Sequence, residues 1–272
     1  MFYVSAGKLR SMSLKQSGLA VTDAFGKGDL TLVPPAFDTL VRNGLNQFTM
    51  PETALVIVDV QNDFCQGGSL AVPDGDAVID VINTLRQKLE PVVSLVCLTQ
   101  DWHPKGHCSF QSTHAAEGAQ LFHPFKLEDG EDQMMWPDHC VQGSKGAEFR
   151  EGLVVLGTDR IVKKGTDVKV DSYSGFFDNN KKCHTELDAI LKSHKIERII
   201  LAGLAFDYCV GFTALDAVEL GYEVALVEDA TRPVAEESAK EMRSKLQKAG
   251  VKLVMAAEVK APLVIQFSRA HC

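Results

Sequence analysis

One cysteine and two charged residues of this sequence could together form a nucleophilic centre. Cys209 follows the apolar run RIILAG and precedes a segment with helical spacing, while Asp59 and Lys164 end two other apolar runs. A thiol with its reference pKa of about 8.5 attacks poorly at neutral pH unless a cation, a helix amino end or a base activates it. The strand-to-helix turn could lower the pKa of Cys209, with Lys164 as the cation and Asp59 as the base. Taken singly, such residues are more often a core thiol, a surface amine and a capping carboxylate.

A second group of residues has the composition of a metal site. Asp101 and His103 are two residues apart at the end of an apolar run, so an extended chain places both side chains on one side. His107 follows after a short loop, and His139 lies in the later segment WPDHC. An aspartate with two or three histidines suits a divalent transition metal that keeps open positions for water or substrate. Zinc suits a ligand set rich in histidine, with iron and manganese as alternatives. The same residues could instead be surface-loop residues that bind no metal.

The third group consists of aromatic residues: Phe64, Trp136 and Tyr173, with Phe206 as a further candidate. Aromatic side chains usually build core. The first three, however, lie in loop-like segments beside the polar candidates. This placement favours a pocket for a flat ring.

The elements that carry these residues alternate between strand-like and helix-like patterns. This alternation predicts an α/β fold of three layers, α/β/α, with a mainly parallel, Rossmann-like sheet. Ligands of such sheets bind beyond the carboxyl ends of the strands, where all the polar candidates lie. No GxGxxG motif follows the first strand, which excludes a site for a nicotinamide dinucleotide. The predicted strands lie in the runs ALVIVDV, VVSLVCLTQD, DRIVKKG, ERIILAGLA, YEVALVED and VKLVMAAE.

Charge and cysteine content limit the class of protein. The net charge of -8 disfavours a nucleic-acid or anionic-membrane partner, because no basic surplus is left to neutralise phosphates. No apolar run is long enough for a membrane helix. The seven cysteines include no CxxC pair, and no secretory signal precedes them. A reducing compartment, with the protein in the cytoplasm, is therefore expected.

The first part of the chain differs from the rest in composition. Residues 1–22 contain no acidic residue and several serines, which permits a mitochondrial transit peptide. Arginine is sparse there, so a disordered or loosely packed tail is favoured. The later segment LVPPAFDTL breaks regular structure through its two prolines. We expect residues 1–50 to be an N-terminal extension and residues 51–272 to form one domain.

Five segments also carry a resemblance to a known family. They are ALVIVDVQNDFCQGGSLAV, TQDWHPKGHCSF, WPDHCVQGSKGAEF, VKKGTDVKVDSYSGFFDN and GLAFDYCVGFTALDAVELGYEVALVEDATRPV. In this order they resemble nicotinamidases, which belong to the isochorismatase-like hydrolases, also called cysteine hydrolases. The resemblance runs from about Ala54 to about Val254 and implies the isochorismatase-like hydrolase fold. One position departs from it: Phe206 stands where members usually have threonine.

The resemblance implies a role for each candidate residue. Asp59, Lys164 and Cys209 match the catalytic residues, with Lys163 as the neighbouring alternative to Lys164. It also implies a cis peptide between Leu204 and Ala205, with the backbone N–H groups of Ala205 and Cys209 forming an oxyanion site. The metal ligands implied are Asp101, His103 and His139, with His107 as a fourth ligand found in some members. The residues implied to bind the substrate ring are Phe64, Trp136 and Tyr173.

The activity implied is the hydrolysis of nicotinamide to nicotinate and ammonia in NAD salvage. The reaction would pass through a thioester on Cys209 and use one divalent metal ion, and the chain would form a homo-oligomer. Two alternatives remain. One is a related hydrolase of the family that acts on another small amide, such as a pyrazinamide-like or carbamoyl compound. The other is a non-catalytic protein that binds nicotinamide.

Overall fold

The computed structural model describes residues 51–259, which are built around a six-stranded parallel sheet. The strands lie side by side in the order β5-β2-β1-β6-β7-β8, and each neighbouring pair is parallel. The predicted mainly parallel sheet is thus confirmed, with all six predicted strands present. The strands of this sheet are β1 (Glu52–Val58), β2 (Leu95–Asp101), β5 (Arg160–Lys164), β6 (Ile196–Leu204), β7 (Glu223–Arg232) and β8 (Lys252–Val254).

Four α-helices within residues 51–259 cover the two faces of the sheet and complete the predicted three layers. The apolar side chains of β1 point alternately to the two faces of the sheet, so that Leu55 and Ile57 enter one core and Val56 and Val58 the other. The first core also contains the buried residues of α1, and the second contains those of α2, α3 and α4. The helices are α1 (Val78–Leu89), α2 (Leu187–Ser193), α3 (Gly211–Glu219) and α4 (Glu236–Ala249).

A small antiparallel hairpin lies between β2 and β5 in the chain. Its strands are β3 (Pro124–Lys126) and β4 (Asp132–Met134), which pair only with each other among the described strands. The sequence patterns did not predict it, because each strand has only three residues. Its importance is positional, since Gln133 on β4 is buried and reaches the site described below.

The sheet brings four polar positions to one edge. Asp59 directly follows β1, Asp101 and Lys164 are the last residues of β2 and β5, and Cys209 follows β6. These four strands are neighbours, and Asp101 pairs in register with Lys164. The β1–β6 pair is close at this end: a Cβ on Gly203 would lie 2.0 Å from the Val58 carbonyl oxygen, so only glycine fits there.

The expectations for the two ends of the chain concern residues that the structure does not describe. The extension proposed for residues 1–50, including its transit-like composition, lies outside the described residues, as do residues 260–272. Between residues 51 and 259, none of the helices has both the length and the apolar content needed to cross a membrane.

Candidate active site

The turn after β6 carries Cys209. The Leu204–Ala205 peptide is cis, as the sequence resemblance implies. A π-helical turn, Phe206–Val210, follows and runs into α3; it is closed by a bond from the Val210 N–H to the Ala205 carbonyl (3.0 Å). Helical backbone therefore begins at Phe206 and places Cys209 in the first turn, in agreement with the expectation that the thiol lies near the start of the helix.

Lys164 is the centre of the polar cluster. Its Nζ lies 2.5 Å from Asp101 Oδ1, 2.9 Å from Asp59 Oδ2 and 3.3 Å from Cys209 Sγ. It also donates a hydrogen bond to the Ser172 carbonyl (2.8 Å), and its side chain is fully buried. The structure thus brings Asp59, Lys164 and Cys209 together and adds Asp101, which the sequence analysis had placed only with the metal ligands.

The neighbouring lysine has a different environment. Lys163 is exposed, and its Nζ lies 3.6 Å from the ring centre of Trp102. Successive side chains of a strand point to opposite faces of the sheet, so Lys163 and Lys164 lie on opposite faces. Of the two alternatives, Lys164 is the one that reaches Cys209.

Burial sets the protonation states of the cluster. Burial raises the pKa of Asp59 to about 6, although Lys164 and a hydrogen bond from Thr99 Oγ1 (2.6 Å) act in the opposite direction. Burial would lower the pKa of Lys164, but Asp101 and Asp59 hold it well above its usual value. Burial also raises the pKa of Cys209, which Lys164 offsets only in part. The expected lowering of the thiol pKa is therefore wrong: at neutral pH Cys209 is protonated, beside an ionised Asp59 that can accept its proton.

Asp101, His103 and His139 form a candidate cation site. One ligand atom from each lies within 4.8 Å of the other two, and all three residues are buried. His103 Nδ1 donates to the Gly165 carbonyl (2.9 Å) and His139 Nδ1 to the Pro137 carbonyl (2.7 Å). Burial opposes protonation of His103, but Asp101 raises the pKa of this ring. Because a carbonyl can only accept, Nε2 is the nitrogen that each ring leaves for a metal ion when the ring is neutral. These atoms lie 3.4 Å and 4.0 Å from Asp101 Oδ2, so the donors converge and fit a divalent ion.

His107 lies beside this group. Its ring stacks on His103 with the centroids 4.1 Å apart, and Nδ1 lies 2.8 Å from Ser109 Oγ. Its Nε2 is buried and has no hydrogen-bond partner among residues 51–259. Its ligand atom clusters with those of His103 and Asp171, all within 4.8 Å of one another. Burial and His103 lower the pKa of His107 to about 4, so the ring is neutral, as a ligand must be.

Asp171 was missed by the sequence analysis. It is buried and lines the same pocket as the predicted aromatic residues. One pattern could have found it: Asp171 precedes Tyr173 by two residues, and an extended chain places such side chains on one side.

The aromatic residues line a pocket that Cys209 also lines. Phe64, Trp136 and Tyr173 all line it, as expected for a pocket that binds a flat ring, and Trp136 Nε1 donates to the Tyr173 hydroxyl (3.2 Å). Phe206 is not among the lining residues; it is buried in the second core beneath Arg243. The remaining pocket residues, which complete its wall, are Leu70, Val72, Asp101, His139, Asp171, Ala205, Tyr208, Cys209 and Val234.

Tyr208 takes the place that the sequence suggested for Phe206. Its ring packs edge-on against Trp136 (centroids 4.9 Å apart) and Tyr173 (5.3 Å). The π-helical turn decides which of the two aromatic side chains faces the pocket, and period-based patterns do not predict such a turn. The site thus combines a flat aromatic slot, a thiol with a base and a cation, and a separate set of metal donors, a combination suited to hydrolytic acyl transfer.

Comparisons with known proteins agree with this chemistry. Residues 53–258 match the Isochorismatase domain. The nicotinamidase of Escherichia coli is 48% identical over 185 residues, which cover 68% of this chain and 85% of that protein. A solved nicotinamidase and pyrazinamidase of Acinetobacter baumanii has a TM-score of 0.71 and 38% identity, covering 77% of this chain and 99% of that one. The pyrazinamidase of Pyrococcus horikoshii in complex with zinc has a TM-score of 0.62 and 35% identity, covering 75% and 99%.

Proposed function

Since this chain belongs to the isochorismatase family, we propose that it is a cysteine amidohydrolase that converts nicotinamide to nicotinate and ammonia, a step of NAD salvage. One observation carries the proposal: Lys164 contacts Cys209 Sγ, Asp59 and Asp101 at the base of an aromatic pocket. The E. coli and A. baumanii proteins named above support nicotinamide as the substrate.

The pocket suits an aromatic carboxamide. Phe64, Trp136 and Tyr173 offer apolar surface to a flat ring, and Cys209 and Ala205 line the same pocket. A ring in this slot can place its carboxamide carbon against the Cys209 sulfur. The backbone N–H groups of Ala205 and Cys209 would then hold the developing oxyanion, and one such donor is typically worth about 3 kcal/mol.

The first half of the reaction forms the thioester. Asp59 removes the proton from Cys209 Sγ, and Lys164 stabilises the thiolate and the carboxylate in turn. The thiolate attacks the carboxamide carbon. Asp59 then passes its proton to the leaving nitrogen, so that ammonia departs and an acyl thioester remains on Cys209.

The second half releases the acid. Water enters after ammonia has left, and Asp59 takes one of its protons as the oxygen attacks the thioester carbon. The C–S bond breaks and the proton returns to Cys209. Nicotinic acid leaves and releases its proton to the solvent to become nicotinate, and the residues regain their starting protonation states.

Asp101, His103 and His139 would hold a divalent ion, with His107 as the further candidate. Bound there, such an ion would act as a Lewis acid that could hold the ring nitrogen of the substrate or a water molecule beside it. Zinc is the proposed metal because two or three imidazoles contribute and because the Pyrococcus relative binds zinc; iron and manganese remain the alternatives. The Gly165 and Pro137 carbonyls orient the rings of His103 and His139 by accepting hydrogen bonds from their Nδ1 atoms.

An ammonia-release assay tests the proposal. Nicotinamide, pyrazinamide and small aliphatic amides are compared, each before and after removal of the metal with a chelator. We expect turnover of nicotinamide that falls on chelation and returns with the added metal. Turnover of another amide, without turnover of nicotinamide, would indicate a related amide hydrolase of the same family. Nicotinamide binding without ammonia release would indicate a non-catalytic binding protein.

The homo-oligomer implied by the sequence resemblance stays a prediction, which light scattering of the purified chain tests.

A further inference from the structure

Asp171 is a buried carboxylate to which the proposed reaction gives no role. It is 4% exposed and lines the pocket beside Asp101 and His139. Its Oδ1 accepts from the Ser172 N–H (2.7 Å) and its Oδ2 from Gln133 Nε2 (2.9 Å). Both donors are neutral, so they orient the carboxylate without cancelling its charge. A buried charge of this kind is costly unless a cation compensates it.

The neighbours of Asp171 are imidazole nitrogens. Its ligand atom lies within 4.8 Å of those of His103 and His107, and all three residues are buried. His107 Nε2 is the atom that has no hydrogen-bond partner among the described residues. Two ligands of one zinc ion, each about 2.1 Å from it, lie no more than about 4.2 Å apart, and a bridging water extends this reach. This spacing suits groups that bind the same ion, either directly or through a water molecule that the ion coordinates.

The charges of the adjoining cluster lead to the same assignment. Lys164 lies 2.5 Å from Asp101 and 2.9 Å from Asp59, so this lysine and two carboxylates together carry one negative charge. A divalent ion at Asp101 would leave the buried assembly with one positive charge. The charge of Asp171 brings the sum to zero, which lowers the cost of holding the ion away from water.

We propose that Asp171 is the second carboxylate of the metal site, where it acts with His103 and His107 to hold the divalent ion directly or through one coordinated water. Gln133 of the β3–β4 hairpin positions this carboxylate. The inference rests on the divalent ion of the proposed function, and it is independent of which amide the protein hydrolyses.

Zinc affinity tests this assignment. The metal-free wild-type chain and the variants Asp171→Asn and Asp167→Asn are titrated with zinc against a chromophoric chelator. Asp167 is the matched control, because it is exposed in the same segment and the charge change is the same. We expect Asp171→Asn to bind zinc about 10–100-fold more weakly, and Asp167→Asn to bind like the wild type. Equal affinities of the two variants would overturn the proposal.

Two further measurements guard against a folding defect. Circular dichroism and thermal melts of the metal-free variants show whether Asp171→Asn is folded. If it is not, a structure of the zinc-loaded wild-type chain decides: an Asp171 oxygen is expected within about 5 Å of the ion, as a ligand or one water away. An ion bound with Asp171 turned away from it would overturn the proposal. Asp171-dependent zinc binding without release of ammonia would reject the proposed function alone.

Discussion

Two halves of the site meet at Asp101 and differ in how their charges are balanced. The lysine cluster, made of Asp59, Lys164 and Cys209, contains its own cation, which contacts both other members. The histidine cluster consists of His103, His107 and His139. Its imidazoles bring no permanent positive charge, and two of them place Nε2 near Asp101 Oδ2. The chain thus assembles the first half by itself, whereas the second half is complete only with an added ion.

Burial serves the two halves in opposite ways. In the lysine cluster it raises the pKa of Asp59 and of Cys209, which leaves a carboxylate beside a protonated thiol. In the histidine cluster it lowers the pKa of His139 to about 4 and keeps that ring neutral, whereas at His103 Asp101 opposes burial and the pKa is raised. Asp101 links the two: burial opposes its ionisation, yet Lys164 and His103 hold its pKa below the usual range. The same desolvation therefore raises the pKa of a carboxyl group in one half and keeps His107 and His139 neutral in the other.

The largest expected effect follows from removing the internal cation. Lys164→Met leaves Asp59 and Asp101 buried without their partner, and breaking a buried pair typically costs about 3–5 kcal/mol of stability. We expect a much lower denaturation midpoint in urea and loss of ammonia release. Lys163→Met is the control, because that side chain is exposed and only covers Trp102. Equal losses in both variants would show that Lys164 is not the centre of the cluster.

Metal removal separates the two halves. Zinc at 100 times its Kd stabilises a protein by about 2.7 kcal/mol, and a thermal melt measures this as a shift of Tm. We expect Cys209→Ala to keep the shift, because the thiol belongs to the lysine cluster, and His139→Ala to lose it. His123→Ala serves as the control on an exposed histidine. A shift that disappears in Cys209→Ala as well would mean that the halves do not act separately.

The pH dependence tests the base of the lysine cluster. Asp59 must be ionised to accept the thiol proton, so kcat/KM should fall as the pH decreases through about 6. Thr99 Oγ1 donates to the ionised form of Asp59. Its loss in Thr99→Val should raise the pKa of Asp59 and move the acidic limb upward by about one pH unit, the equivalent of about 1.4 kcal/mol. An acidic limb that stays in place would argue against Asp59 as the base.

The smallest effect is expected in the pocket wall, outside both clusters. The Tyr173 hydroxyl accepts hydrogen bonds from Trp136 Nε1 and Gln133 Nε2. In Tyr173→Phe these donors lose a partner, at a cost of about 1–2 kcal/mol. We expect KM for nicotinamide to rise severalfold with kcat nearly unchanged. A fall of kcat instead would place Tyr173 in the chemistry rather than in ring binding.

The sequence predicted the lysine cluster better than the surroundings of the histidine cluster. Asp59, Asp101 and Lys164 follow buried apolar runs, and the geometry of a parallel sheet brings such strand ends together. Asp171 and Tyr208 depend instead on a loop and on a π-helical turn, whose course is set by tertiary packing. Gln133 lies in a hairpin too short to leave a periodic pattern. Local spacing carries information about regular elements and little about the loops that close a site.

The central claim, that Cys209 is the nucleophile, is tested most directly by ammonia release from nicotinamide in two cysteine variants. Cys183→Ala removes an exposed thiol that is not among the pocket-lining residues and serves as the matched control. We expect Cys183→Ala to release ammonia at the wild-type rate and Cys209→Ala to release none above the uncatalysed rate, while both keep the zinc-dependent Tm shift. Turnover retained in Cys209→Ala would contradict the account.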